Sequence, residues 1–230
     1  MSLSRVAHGS AALVTELLQL SSQGIAPAHL ALLLEIAAEA AESRMTVTMA
    51  ADVVWTGPEA SVSHTRDTSV VVEELFANAQ RDVLVSSFVV HQGALIFKPL
   101  ATRMAQLPEL RVRLFLHVGR EWKDTRDDSE LLRAFSARCA EQWPWPQRPE
   151  VYYDPRTVAI DSAERVTWHA KCVLVDDDLA FVTSANFTEW AQQRNIEAGV
   201  LLRNHHFASQ LRHQFEGLIQ SKQVRRLPGF

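Results

Sequence analysis

Apolar positions along the first forty-odd residues follow helical spacing. Leu13, Leu17, Leu18 and Leu20 lie on one stretch, and Leu30, Leu33, Leu34, Ala37 and Ala41 recur at alternating intervals of three and four on the next. Ser21 to Gly24 read as the turn between them, and Pro27 suits the first position of a helix, where a missing N–H leaves nothing unpaired. This predicts a helical hairpin ending near Ser43. From Thr46 the pattern changes to the alternation of a strand, with Val47, Met49, Val53, Val54 and Trp55 running into a turn at Thr56-Gly57-Pro58. A boundary near 44–47 follows, with residues 1–46 as a helical extension and 47–230 as the main domain.

Strand and helix patterns then alternate. The spacing predicts a helix over 69–80, a strand over 83–90, a helix over 94–106 that kinks or starts near Pro99, and a strand over 112–118. Asp127, Asp128 and Glu130 open a further helix through Leu131, Leu132, Phe135 and Cys139, their charge favourably placed at its N-terminus. The proline-rich segment 143–149 forbids regular structure. Strands are expected over 151–153, 166–175, 180–183 and 196–202, followed by a closing helix over 206–222. The class is α/β, a sheet flanked by helices with a small N-terminal helical extension.

Composition narrows the chemistry. With 230 residues, 47% apolar and 22% charged, 8 Gly and 9 Pro, the chain has ordinary globular usage, which excludes disordered and collagen-like classes. The net charge of −4 gives no global basic field, so a phosphate-bearing partner must be met by a local patch. Cys139 and Cys172 form neither a disulfide framework nor a metal-site spacing. No metal and no cofactor is expected. The first ten residues lack the apolar core of about 7–15 residues that a secretory signal needs. The longest apolar run, 25–34, is broken by Pro27 and His29 and falls short of the ~20 residues of a spanning helix. A cytoplasmic protein without stable membrane insertion is therefore expected.

One stretch concentrates chemistry: Trp168-His169-Ala-Lys171 leading to Asp176, then Thr183-Ser184-Ala-Asn186, then Asn195-Ile-Glu197. On a strand, residues two apart share a face, so His169 and Lys171 project together, opposite Cys172 and Leu174. Ser184 and Asn186 do the same if that stretch is extended. An imidazole, a cation and neutral donors suit phosphodiester chemistry without a metal. Glu197 on the following strand is placed to hold one imidazole nitrogen and leave the other free to attack phosphorus. Asp176 has two readings, as part of this set or as a turn residue beside Asp177 and Asp178.

The run His169-x-Lys171-x₄-Asp176 with Thr183-Ser184-Ala185-Asn186 behind it resembles the HKD signature of the phospholipase D superfamily. The resemblance implies His169 as nucleophile, Lys171 and Asn186 as phosphate ligands, Ser184 as support and Glu197 as the residue that orients His169. Thr183 stands where the family often has Gly. A single HKD motif is present, which resembles the small bacterial members that act as homodimeric endonucleases, each chain giving one His. The segments 55–59, 65–68 and 86–88 are similar to the phospholipase D-like component of the DISARM anti-phage system. That similarity implies a nucleic-acid substrate, with DNA first, and defence-system proteins as partners.

His64, His91 and Arg66 are placed on loops or short segments from which they can approach the site, and Trp168 is placed to wall it. The substrate-binding set is thus Lys171, Asn186, Trp168, His91 and Arg66. Plain solvated-loop residues are the simpler reading of the two histidines, and His117, in an apolar strand, reads as core or edge. The reaction read here is metal-independent phosphodiester cleavage through a phosphohistidine. Its competitors are phospholipid hydrolysis or phosphatidyl transfer, and a catalytically idle nucleic-acid-binding or assembly subunit.

Overall fold

A computed structural model describes residues 14, 15, 17–46, 50–58 and 65–230, without the side chains of 37–46 and 50. His64, Leu13, Val47 and Met49, each given a place by the sequence pattern, lie outside the described residues. Two units divide the chain between Thr48 and Met49. In the first, a helical stretch α1 (residues 17–22) and helix α2 (Pro27–Thr46) flank a turn. Gly24 there has φ +91°, and Ile25 N–H donates to Leu20 O, the left-handed helix ending that favours glycine. Of the leucines at helical spacing in α2, Leu30 is buried while Leu33 and Leu34 are exposed.

The second unit carries, among the described residues, a nine-stranded sheet between helices. Its strands are β1 (Ala50–Thr56), β2 (Arg66–Asp67), β3 (Asp82–Ser87), β4 (Arg111–Leu116), β5 (Glu150–Tyr153), β6 (Cys172–Val175), β7 (Leu179–Thr183), β8 (Glu197–Arg203) and β9 (Arg225–Arg226). The order is β2-β1-β8-β7-β6-β3-β4-β5-β9. β3, β4 and β5 are parallel neighbours, and β6, β7, β8 and β1 follow one another antiparallel. The helices are α3 (Thr68–Asn78), α4 (Gly93–Ile96), α5 (Lys98–Gln106), α6 (Asp128–Gln142), α7 (Glu189–Gln193) and α8 (His205–Gln220).

The pleat sorts the core into two layers. Val83 and Val85 of β3, Val173 and Val175 of β6, and Phe181 of β7 pack with Val71, Val72, Leu75 and Phe76 of α3 and with Leu100 and Met104 of α5. The alternate residues Leu84, Leu174, Ala180 and Phe115 face Ala208 and Phe215 of α8. β3 is thus buried on both faces, and its sequence reads as a nearly continuous apolar run for that reason. Helix starts follow their caps. The Asp67 carboxylate accepts from Ser69 N at 2.8 Å and Val70 N at 3.3 Å, and Asn204 Oδ1 accepts from Phe207 N at 2.8 Å. The single helix expected over 94–106 is two, divided at Phe97, because Pro99 suits a first turn and not a helix interior.

The sheet order places one set of loops together. β1, β3, β4, β5 and β7 end, and β6 and β8 begin, on the same edge, so the segments after Thr56, Ser87, Leu116, Tyr153 and Thr183 meet those before Cys172 and Glu197. In open sheets this edge, at the carboxyl ends of the parallel strands, is where ligands bind.

Candidate active site

The expected strand over 166–175 holds only at Cys172–Val175. Ahead of it, residues 165–171 run without ladder pairing and are held by side chains. Ser86 Oγ donates to Ala170 O at 2.9 Å, Trp168 Nε1 donates to Ser86 Oγ at 2.8 Å, and Thr183 N donates to Lys171 O at 3.1 Å. His169 and Lys171 still meet: Lys171 Nζ lies 3.2 Å from each ring nitrogen of His169 and donates to His169 O at 3.0 Å. An ammonium has donors only, so the imidazole nitrogen it meets is the one with the lone pair. His169 is exposed, whereas Lys171 is buried with 7% of its surface exposed.

No carboxylate among the described residues lies within ion-pair distance of Lys171. Burial lowers its pKa, and the more distant charge of Glu197 opposes that shift. A buried ammonium facing only a carbonyl and an imidazole is short of negative charge, which is costly unless an anion completes it.

Ser184 and Asn186 follow β7 on the same edge. Thr183 Oγ1 accepts from Ala185 N at 3.0 Å, a local turn that bends the chain at Ser184. Phe187 N donates to Ser87 Oγ and to Val89 O, tying the far side of the loop to the end of β3. Between these ties, the Asn186 Oδ1 is buried and has no hydrogen-bond partner. A buried carboxamide oxygen left unpaired in a native site is available to a ligand.

Glu197 does not take the place expected of it at the imidazole. Its carboxylate accepts a short hydrogen bond from Ser184 Oγ and one of 3.1 Å from Asn195 Nδ2, while Ala198 N donates to Ser184 Oγ at 3.1 Å. Two residues further along β8, Gly199 leaves room for the Phe181 ring of β7, since a Cβ there would stand 2.7 Å from it. Glu197 therefore fixes Ser184 and supplies long-range negative charge to Lys171, with no hydrogen bond to His169.

Three other expected site residues lie elsewhere. Asp176 sits at the opposite edge of the sheet, where its carboxylate accepts from Gln80 N, Arg81 N (2.7 Å) and Asp82 N (3.1 Å) and its own backbone turns with φ +50°. The turn reading is the one the geometry supports. Asp176→Ala is expected to lower stability by about 1–3 kcal/mol, since three backbone N–H groups lose a charged acceptor. Urea unfolding reads that loss; turnover of the folded variant should match wild type, and a loss of turnover without a loss of stability would contradict it. Arg66 is held by Glu74 and by Asp52 at 3.7 Å, and with Val175, Leu179 and Arg203 it lines a cavity at that same far edge, away from His169. Trp168 spends its ring on Phe115 and Phe215, at 5.8 and 6.0 Å between centroids, anchoring the segment instead of walling the site.

His91 is on the site's edge of the sheet and lines a cavity of about 340 Å³. Val89, Leu114, Leu116, Phe135 and Trp143 give that cavity a mainly apolar lining, and Phe88 and His117 form its wall toward the site. The Phe88 ring lies 4.7 Å from His117 and 5.3 Å from His169. Phe88, His117, Ser86 and Asn195 belong to the site's surroundings. Ser86, Phe88 and His117 stand at or just past the ends of apolar strands, and Asn195 stands just before β8, in the stretch that carries Glu197. No group of three His, Cys, Asp or Glu side chains among the described residues could hold a metal ion. No described helix is long and apolar enough to cross a membrane.

The family model described as "Cardiolipin synthase, PLD-like domain" matches residues 72–219, from α3 to α8 and through the whole site. The chain belongs to that PLD-like family. Its members are phosphodiesterases, and the mixed α/β sheet flanked by helices is the fold expected of the domain. Among solved structures, NucT from Helicobacter pylori is similar at 11% identity over 75% of this chain and 97% of its own, with a TM-score of 0.50. Nuc from Salmonella typhimurium, a phospholipase D family member, is 17% identical over 77% of this chain and 97% of its own, with a TM-score of 0.47. Phosphatidylserine synthase from Haemophilus influenzae Rd KW20 is 18% identical over 79% of this chain and 40% of its own, with a TM-score of 0.47. No curated protein sequence matches the PLD-like chain significantly.

Proposed function

We propose that this PLD-like protein is a metal-independent nuclease that cleaves phosphodiesters through a phosphohistidine on His169, as a homodimer. The observation that carries the reading is the buried Lys171 ammonium, without a carboxylate partner, against the imidazole of an exposed His169. A phosphate diester supplies the missing negative charge and brings phosphorus to the imidazole. As Lys171 Nζ turns from the imidazole to a phosphoryl oxygen, the ring lone pair it releases on His169 attacks phosphorus, an N–P bond forms, and the bond to the leaving oxygen breaks. That oxygen takes a proton from the partner subunit's His169. Water then attacks phosphorus as the partner subunit's His169 takes its proton, the N–P bond breaks, and His169 is free. Lys171 Nζ and the Asn186 Nδ2 amide donate to the phosphoryl oxygens, and Glu197 keeps Ser184 in place.

Exposed apolar side chains around the site support a second copy facing this edge. Val89, Trp122, Ile160 and Ile196, on segments at this edge of the sheet, and Trp190 of α7 are 40–79% exposed. Such a rim favours burial against another surface. DNA is the substrate this reading puts first, and phosphate contacts of this kind hold a backbone without reading bases, so cleavage is only weakly sequence-specific. The similarity of segments 55–59, 65–68 and 86–88 to the DISARM component supports a role in cytoplasmic anti-phage defence beside other proteins of such a system.

A second reading, cleavage or transfer of a phospholipid headgroup, is favoured by the 340 Å³ apolar cavity whose wall is Phe88 and His117. A cavity with that lining suits an acyl chain. Incubation with single- and double-stranded DNA, RNA and phosphatidylcholine vesicles, with and without EDTA, separates the readings. Nucleic-acid cleavage that survives EDTA is the expected result. Cleavage lost to EDTA and restored by Mg²⁺ would overturn the mechanism, turnover of lipid alone would move the substrate to the second reading, and no turnover at all would leave an idle subunit.

A further inference from the structure

The segment that carries His169 has no ladder pairing from 165 to 171, and the ties at Ala170 O and Lys171 O lie on the far side of His169 from Trp168. Trp168 N–H, one residue before the proposed nucleophile, donates to Nδ1 of His117 at 3.3 Å. His117 in turn is held on two sides. Its ring stacks on Phe88, with centroids 4.7 Å apart and planes 27° apart. Gly119, at φ +70°, folds the chain back so closely that a Cβ there would lie 2.9 Å from His117 Nε2. The same Phe88 ring then touches His169 at 5.3 Å, so one aromatic ring fixes both imidazoles.

The geometry points to His117 as a positioning residue, whose Nδ1 lone pair holds the backbone at Trp168 and thereby sets where the His169 ring stands against Lys171. This rests on the reading of His169 as the nucleophile. Acceptance at Nδ1 requires that nitrogen to be unprotonated, and burial together with the nearby His169 lowers the His117 pKa, which favours that form. Loss of the acceptor leaves the Trp168 N–H unpaired and removes the tie at the backbone next to His169, leaving the segment to those at Trp168 Nε1, Ala170 O and Lys171 O. A displacement of about 1 Å in a reacting group costs up to ~10²-fold in rate.

Two substitutions separate the acceptor from the ring. His117→Asn keeps an acceptor in the place of Nδ1 and loses the stacked ring, whereas His117→Phe keeps the ring and loses the acceptor. With bis(p-nitrophenyl) phosphate as probe, His117→Phe is expected to lose about 10–100-fold in kcat with KM little changed. His117→Asn is expected to keep kcat within a few-fold of wild type. Amide hydrogen exchange at Trp168 should be slow in wild type and His117→Asn, and fast in His117→Phe. Wild-type kcat in His117→Phe would overturn the assignment. So would an equal loss in both variants, which would mean that the ring itself, as packing or as a proton donor, is what matters. If wild type does not hydrolyse the diester, the nuclease reading fails on its own. The exchange pattern then still decides whether His117 holds the segment, and equal Trp168 protection in all three proteins overturns it.

Discussion

His169→Ala is expected to abolish turnover of a phosphodiester while leaving the fold and anion binding intact. In a symmetric dimer the substitution removes the attacking nitrogen and the group that protonates the leaving oxygen together. The loss should therefore exceed the ~10²–10⁴-fold typical of acid–base catalysis alone. Its side chain is exposed, so removal should change stability by no more than about 0.5 kcal/mol. Lys171 and Asn186 remain, and the affinity for orthophosphate should stay close to that of wild type, whereas vanadate, which the His169 nitrogen would bond as it bonds phosphorus, should bind more weakly. Near-normal turnover by the variant would locate the chemistry elsewhere.

Lys171→Met is expected to separate stability from function in the opposite sense. Methionine matches the apolar stem and removes a buried charge without a carboxylate partner, so the melting temperature should be equal to or higher than that of wild type. The sign with pH follows from the lowered pKa of Lys171. A cation whose pKa is lower folded than unfolded bears its full penalty below the folded value and loses it as pH rises toward the unfolded value. The advantage of the Met variant should thus be present at neutral pH and shrink in alkaline solution. Turnover should fall by at least about 10²–10³-fold, the cost of one lost donor to a developing oxyanion. Orthophosphate or vanadate should raise the melting temperature of wild type and not of the variant. A variant that is less stable at neutral pH and still gains stability from vanadate would contradict the account of the site.

Much of this was legible in the sequence because it depends on period. The continuous apolar run through Val83, Leu84 and Val85 reads as a strand, and His169-x-Lys171 keeps its two side chains together even though the ladder begins only at Cys172. What the period does not encode is where a side chain of several rotatable bonds ends. Glu197 begins the strand beside β7, as expected, but the Ser184 hydroxyl, just past the end of β7, and the Asn195 amide both lie within its reach, and its carboxylate goes to them. Arg66 is drawn to Asp52 and Glu74 on its own side of the sheet. Asp176 lies a strand's length beyond Lys171, so it ends at the opposite edge however well it fits the motif. His117 was invisible as a partner of Trp168, because the contact joins residues 51 apart through one nitrogen and one backbone amide.

The central claim is that the His169 imidazole becomes covalently bound to phosphorus. Rapid acid-free quenching of the enzyme during turnover of bis(p-nitrophenyl) phosphate, followed by mass spectrometry of its peptides, tests it most directly. The expected result is a p-nitrophenyl phosphoryl group on the peptide carrying His169, absent from Lys171, Ser184 and the remaining histidines, and formed equally in EDTA. Sustained turnover with no adduct on His169, or with the adduct on another residue, would contradict it.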